Sequence, residues 1–229
     1  DCSDIEDIIV FTADGKMIIT KVTEKSYIGK NIVHVGVFKK NDTRTVYNLV
    51  YRNGNDKISY IKRFTVTGII RDKEYDVVEP HKDSQVLYFS ANPNGEAEVI
   101  SVILRQAGSV KKLKWDINFA DILIKGRASR GNIVTKYAIK RIELKEKGVS
   151  TLKPRKIWYD PIVHRLNTEG RGELLGSFKG EDRLLLISKD AIVKTVIPDL
   201  SLHFDPNLLI IEKWNPEKPI SVIHYEGEK

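Results

Sequence analysis

Five stretches of this 229-residue chain repeat one pattern: a β-branched apolar run, a turn holding Gly or Asn, then a second apolar strand carrying a basic residue. They read DIIVFTADGKMIITKV from Asp7, TVYNLVYRNGNDKISYIKRF from Thr45, SQVLYFSANPNGEAEVISV from Ser84, ADILIKGRASRGNIVTKYAIKRI from Ala120, and DRLLLISKDAIVKTVI from Asp182. Their strand starts, Ile8, Val46, Val86, Ile122 and Leu184, lie 38, 40, 36 and 62 residues apart, and Gly15, Gly54, Gly95 and Gly131 follow seven to nine residues after theirs. The fifth copy has Asp190 at the turn. A unit of this size cannot close its own core, so neighbours must stack. Further apolar pairs between copies, as at 32–38 and 65–70, predict about four strands per unit, the make-up of a blade in a propeller-like array. The long fourth interval holds VSTLKPRKIWYDPIVHRL and TEGRGELLGSFKGE, read as an enlarged blade plus a connecting segment with room for a degenerate sixth unit.

Composition agrees with strands. Val, Ile, Thr, Tyr and Phe are plentiful and Ala-, Leu- and Glu-rich amphipathic windows are scarce, so the expected class is all-β, a propeller-like array of about five four-stranded blades in a single domain over 1–229. In LKWDINF, period-two alternation puts Leu113, Trp115, Ile117 and Phe119 on one face and Lys112 and Lys114 on the other. Trp115 is therefore expected in the core. A WD-repeat propeller is set aside because the Trp115-Asp116 dipeptide occurs once and not once per unit.

Charge is concentrated. Residues 105–165 carry 16 Lys/Arg against 5 Asp/Glu, while 1–104 carry 14 against 15 and 166–229 carry 8 against 11. Such an excess in the middle third is the electrostatic footprint of a polyanion. At its centre, 120–142 reads as two strands, 122–124 and 133–142, joined by Lys125-Gly126-Arg127-Ala128-Ser129-Arg130-Gly131-Asn132. The loop combines two glycines, a serine and three cations, so its N–H groups and the Ser129 hydroxyl are expected to face an oxyanion. Lys136 and Lys140 on one strand face would stand about 13 Å apart, with Arg141 opposite. With Lys112, Lys114, Lys125, Arg127, Arg130, Lys153, Arg155 and Lys156 they are the predicted contacts to the phosphates of duplex DNA, blind to sequence.

Other chemistry finds little support. A P-loop would need Gly-Lys-Ser/Thr before a helix, and Gly170-Arg171-Gly172-Glu173-Leu174-Leu175-Gly176 places its last glycine one position late for a dinucleotide fingerprint. His34, His81, His164, His203 and His224 are scattered, so no metal or cofactor site is expected. The single cysteine, Cys2, excludes an internal disulfide and suits a reducing compartment. No apolar run approaches about 18 residues and DCSDIED is no signal peptide, so a cytoplasmic protein without a membrane partner is expected. The chain does not open with Met and reads as a piece of something larger. A protein-interaction module with an acidic partner is the rival binding reading, and a hydrolase lacks a convergent acid/base set.

DIIVFTADGKMIITKV, YIKRFTVTGIIRDKEYD and KGRASRGNIVTKYAIKRIELKEKGVSTLKPRKIWYD resemble the C-terminal domain of the A subunit of bacterial type IIA topoisomerases, nearer the topoisomerase IV branch than the gyrase branch. The similarity spans essentially the whole chain. It implies a β-pinwheel of five or six blades that exchange strands with their neighbours, with DNA wrapped on a basic outer rim in a nucleoid-associated location. Gly126–Asn132 keeps the terminal glycines and two arginines of the gyrase A box but lacks its central Gly-Gly-Lys and lies in the fourth unit, where a gyrase box is expected in the first. The matching loop of the first unit, 26–31 from Ser26, has one glycine and one cation. The resemblance also implies that the nucleophilic tyrosine, the ATPase and the metal-binding domain lie elsewhere. ATP and Mg2+ would then serve the whole enzyme, and the partners would be duplex DNA, the rest of the A subunit, plus the ATPase B subunit.

Overall fold

The computed structural model describes residues 6–23, 27–106, 108, 110–200 and 202–223. Cys2, Ser26 and His224 lie outside them. The chain divides into two compact units, 1–152 and 153–229. The described residues hold five small sheets and, as helix, a single 3-10 turn at Phe119–Asp121. The all-β expectation and the number of sheets hold, but the expected four strands per blade do not: one sheet has four strands, one has five and three have three, because strands pass between neighbours.

In the first unit, β1 (Asp7–Thr12), β2 (Lys16–Lys21) and β3 (Ile32–Phe38) form the first sheet around β1. The second is built on β4 (Val46–Arg52) and β5 (Ser59–Thr65), an antiparallel pair in register from Val46 opposite Thr65 to Arg52 opposite Ser59. The chain then returns to the first sheet, adding β6 (Tyr75–Asp76) beside β2, before β7 (Gln85–Asn92) comes back to pair with β4. The third sheet repeats the excursion. After β8 (Val99–Leu104) and β9 (Lys114–Asn118), β10 (Ile124–Gly126) and β11 (Asn132–Thr135) both join β5, and β12 (Ile139–Glu146) returns to β8. Neighbouring sheets thus exchange strands, as the resemblance implies.

The second unit holds β13 (Arg155–Asp160) between β14 (Arg165–Asn167) and β15 (Glu173–Phe178), and β16 (Leu184–Ser188) between β17 (Val193–Val196) and β18 (Leu208–Lys213). A bridge from Arg165 to His203 carries the chain back from the fifth sheet to the fourth. Ile157, Leu166, Phe178, Leu184, Leu186 and Phe204 fill the core of this unit.

Two expectations are corrected. The stretch 120–142 is not a paired hairpin of its own, because β10 and β11 cap the open edge of β5 while β12 belongs to the third sheet. Short strands exposed along their length, as β10 is, cannot serve as a sheet's central strand. The fourth sheet is built instead inside the long interval, on RKIWYD. Lys136 and Lys140 likewise do not share a strand face: β11 ends at Thr135, the chain crosses between sheets, and Tyr137 packs against the core at the crossing. Trp115 and Ile117 pack against the core as expected.

The second sheet lies inside the first unit. Tyr47, Leu49, Tyr51, Tyr60 and Phe64 on one face meet Ile9, Phe11, Met17 and Ile19 of the first sheet. Val50 and Ile61 on the other meet Ile100, Val102, Leu104 and Phe119. Each such apolar side chain contributes about 1.5–3 kcal/mol by leaving water. A strand buried on both faces must also bury its polar residues, and Lys62 and Arg63 are 2% and 1% exposed.

Candidate nucleic-acid interface

The basic loop is organised by the edge of β5. β11 pairs with Ser59–Ile61 antiparallel, and β10 pairs with Arg63, Phe64 and Thr65 in parallel. The intervening chain must turn around Lys62. Its ammonium donates to the carbonyls of Val77, of Arg127 at 2.6 Å and of Ser129 at 2.9 Å, which uses all three of its protons. The Tyr51 hydroxyl donates to the Arg130 carbonyl at 2.8 Å. Gly131, at φ +91°, passes over the Ile61 carbonyl where any Cβ would collide. Burial pushes the Lys62 ammonium down to about 8.

The loop is therefore held from beneath by its carbonyls, with Lys125 exposed and, against expectation, the Ser129 side chain turned inward. The Ser129 N–H donates to the Gly126 carbonyl at 3.0 Å and its hydroxyl is buried without a partner. Lys62, Asp121, Lys125, Ser129 and Asn132 are among the residues that line a cavity of about 150 Å3.

The loop's cations have different surroundings. The Arg127 guanidinium lies 4.6 Å from the centre of the Tyr75 ring, and the Lys73 ammonium approaches that ring at 5.4 Å. Neither is paired with a carboxylate among the described residues, and Lys125 stands exposed on β10. Arg130 lies 4.8 Å from the Tyr60 ring centre but pairs with Asp56 and, at 3.3 Å, with Glu79. Slight burial acts to raise the Asp56 carboxyl. The Ile58 N–H, the Tyr60 hydroxyl and Arg130 outweigh it and hold the group below its ordinary value. Arg130 thus serves as a strut between loop and hairpin.

The other predicted contacts are distributed over both units. Lys112 and Lys114 are exposed at and before β9, and Lys140 is exposed on β12 at the opposite edge of the third sheet. Lys136 lies at the crossing, its ammonium 5.6 Å from the Tyr137 ring centre. Nearby cations are offset: Lys145 pairs with Asp116 and Arg141 with Glu143, each at 2.7 Å. Lys153, Arg155 and Lys156 belong to the second unit, the last two opening β13. Sequence reading missed Lys73 and Tyr75, whose part depends on a strand returned from another sheet.

Arg63 supports the same edge from the opposite face. It donates to Asn48 Oδ1 at 3.1 Å, Thr151 Oγ1 at 3.0 Å and the carbonyls of Phe119, Gly95 and Glu96 at 3.3, 3.0 and 3.3 Å. Buried Glu98 accepts from Asn48, Tyr88 and Ser90 in the same network. Among the described residues, no group of three or more His, Cys, Asp or Glu is placed to hold a metal ion.

The family model described as topoisomerase C-terminal domain, Bacteroidota, matches residues 2–147 and 165–229. The A subunit of DNA topoisomerase 4 from Borreliella burgdorferi is 25% identical over 139 residues, 60% of this chain and 20% of that protein. The chain therefore matches about a fifth of that relative's length. Among solved structures, the C-terminal domain of DNA topoisomerase IV aligns with a TM-score of 0.43 at 12% identity, covering 91% of this chain and 79% of that one. The DNA gyrase A C-terminal domain aligns at 0.36 and 11% identity, covering 93% and 84%.

Proposed function

The chain belongs to the topoisomerase C-terminal domain family, Bacteroidota, and from that premise we propose that it is the DNA-binding and DNA-wrapping domain of a topoisomerase IV A subunit. In this reading it holds duplex DNA without sequence preference and steers the transported segment in decatenation and relaxation. It works in the cytoplasm, at the nucleoid, beside the ATPase B subunit plus the rest of the A subunit, where cleavage, ATP and Mg2+ belong. Topoisomerase IV is favoured over gyrase because loop 126–132 lacks the Gly-Gly-Lys centre of the gyrase box, and because the curated relative is the A subunit of a topoisomerase 4.

The observation that carries the reading is the loop beside β5, fixed from below by Lys62, where Lys125 stands exposed and Arg127 shares the Tyr75 ring with Lys73, none of the three with a carboxylate partner among the described residues. Cations of this kind bind phosphate by releasing counterions, so log affinity falls with log salt by roughly 0.9 per phosphate contacted. Replacing Lys73, Lys125 and Arg127 together by Ala is expected to lower the slope by about 2–3 in a fluorescence titration with duplex DNA. Arg130→Ala should change it less than Arg127→Ala, because Asp56 and Glu79 already hold that charge. A shallow slope in the parent chain, or an unaltered slope in the triple variant, contradicts the reading.

A further inference from the structure

The hairpin joining β13 to β14 turns through Pro161, Ile162, Val163 and His164. Turns are ordinarily made of Gly, Pro, Asn, Asp and Ser, and Asp160-Pro161 opens this one in the ordinary way, whereas Ile162 and Val163 do not belong to that set. Here Pro161 is exposed, Ile162 is 87% exposed and Val163 is 48% exposed. The tip is also firmly built. The Asp160 carboxylate accepts from the N–H groups of Ile162 at 2.9 Å and Val163 at 3.4 Å. The Tyr159 hydroxyl is hydrogen-bonded to His164 Nδ1 at 3.0 Å, and the His164 carbonyl accepts from Phe204 N–H at 2.8 Å. His164 is held at φ +50°, and the ring of Pro161 fixes its own φ.

One exposed aliphatic side chain is ordinary. Ile162 and Val163, exposed side by side on a clamped turn, depart from local turn chemistry without adding to the core, and such departures concentrate at functional sites. The surrounding charge indicates what the tip meets. Arg165 follows His164 directly, Lys156 is exposed on the arm of β13, and Val163, Arg165 and Arg171 line one cavity of about 280 Å3. Two carboxylates share that cavity: Asp160 caps the turn, and Glu169 pairs with Arg171 at 2.9 Å on the surface. An apolar side chain between cations is the make-up of a wedge that enters a base step from the minor groove while its flanks hold the phosphates.

We propose that Ile162, backed by Pro161 and Val163, inserts between base pairs of bound duplex DNA and kinks it, so that the second unit contributes a discrete bend. The proposal rests on the DNA-binding reading above. Kinks form most readily at pyrimidine–purine steps such as TpA.

The test uses the full chain and a duplex carrying 2-aminopurine at its TpA steps, with anisotropy reporting binding and 2-aminopurine fluorescence reporting unstacking. Binding is expected to raise the fluorescence several-fold. Ile162→Ser, at a position exposed enough to leave the core intact, should abolish the rise while leaving the salt slope unchanged, and Ile162→Leu should preserve it. Binding without a rise, or a rise that persists in Ile162→Ser, overturns the wedge alone. Absence of binding by anisotropy overturns the DNA reading and the wedge with it.

Discussion

Replacing Arg63 by methionine is expected to cost the first unit about 3–5 kcal/mol of stability, the range measured when one partner of a buried charge network is removed. The guanidinium donates to five acceptors, three of them backbone carbonyls. Of those three, the Phe119 carbonyl also accepts from the Ile122 N–H at 3.0 Å, and the Gly95 carbonyl from the Thr151 N–H at 3.1 Å and hydroxyl at 3.3 Å, so the cost falls mainly on the Glu96 carbonyl and the buried charge network. Loss of the guanidinium also leaves the buried Glu98 carboxylate without the nearby positive charge. Domains of this kind hold roughly 5–15 kcal/mol in total, so the midpoint of thermal unfolding should fall by on the order of 10 °C. Arg63→Lys restores the charge without the planar fork and should recover part of the loss. Denaturant unfolding followed by circular dichroism measures it. A loss below about 1 kcal/mol would mean that water or a rearranged backbone satisfies those carbonyls.

Lys62→Met should act on the loop as well as on stability. Three carbonyls lose their donor, at about 1–3 kcal/mol for each one left unsatisfied, offset in part because a buried charge is removed. Hydrogen exchange should accelerate at the Ser129 amide and along β11, and DNA affinity should fall even though Lys62 itself is buried.

The pH dependence separates this lysine from its neighbours. Its pKa in the folded chain, about 8, lies below its ordinary 10.5, so between these values the unfolded chain binds more protons and stability rises with pH. The slope approaches about 1.4 kcal/mol per pH unit. Above about 10 the sign reverses. Burial pushes Tyr51 up to about 12 and raises Tyr47 and Tyr88 as well, so the unfolded chain loses tyrosine protons that the native chain keeps. Lys62→Met should lack the rise and retain the fall. A rise of equal size in the variant would remove Lys62 as its cause.

Why these two residues escaped sequence reading is physical. YIKRFT looks like a strand whose cations lie in solvent, because alternation reports that a strand exists and not that sheets cover both of its faces. The same limit hid the strand exchange. β10 and β11 are legible as strands in ILIKG and NIVTK, but their partner, β5, lies some 60 residues earlier, and nothing in their own pattern names it. Gly15 and Gly54 did mark true hairpins, between β1 and β2 and between β4 and β5. Gly95 instead marks the passage from the second sheet to the third, which shifted the apparent third and fourth units away from their real central strands. Lys125, Arg127 and Arg130 were readable as one loop, whereas the carboxylates that neutralise Arg130 come from positions 56 and 79, far from it in sequence.

The most direct measurement of the central claim, that this domain binds duplex DNA and curves it, is ligation of a nicked circular plasmid in the presence of the full chain. Counting topoisomers after deproteinisation gives the change in linking number. A shift that grows with the amount of bound protein and disappears with the Lys73, Lys125 and Arg127 triple variant is the predicted result. Saturating binding with the topoisomer distribution unmoved would show that the basic edge holds DNA without wrapping it, and would contradict the account.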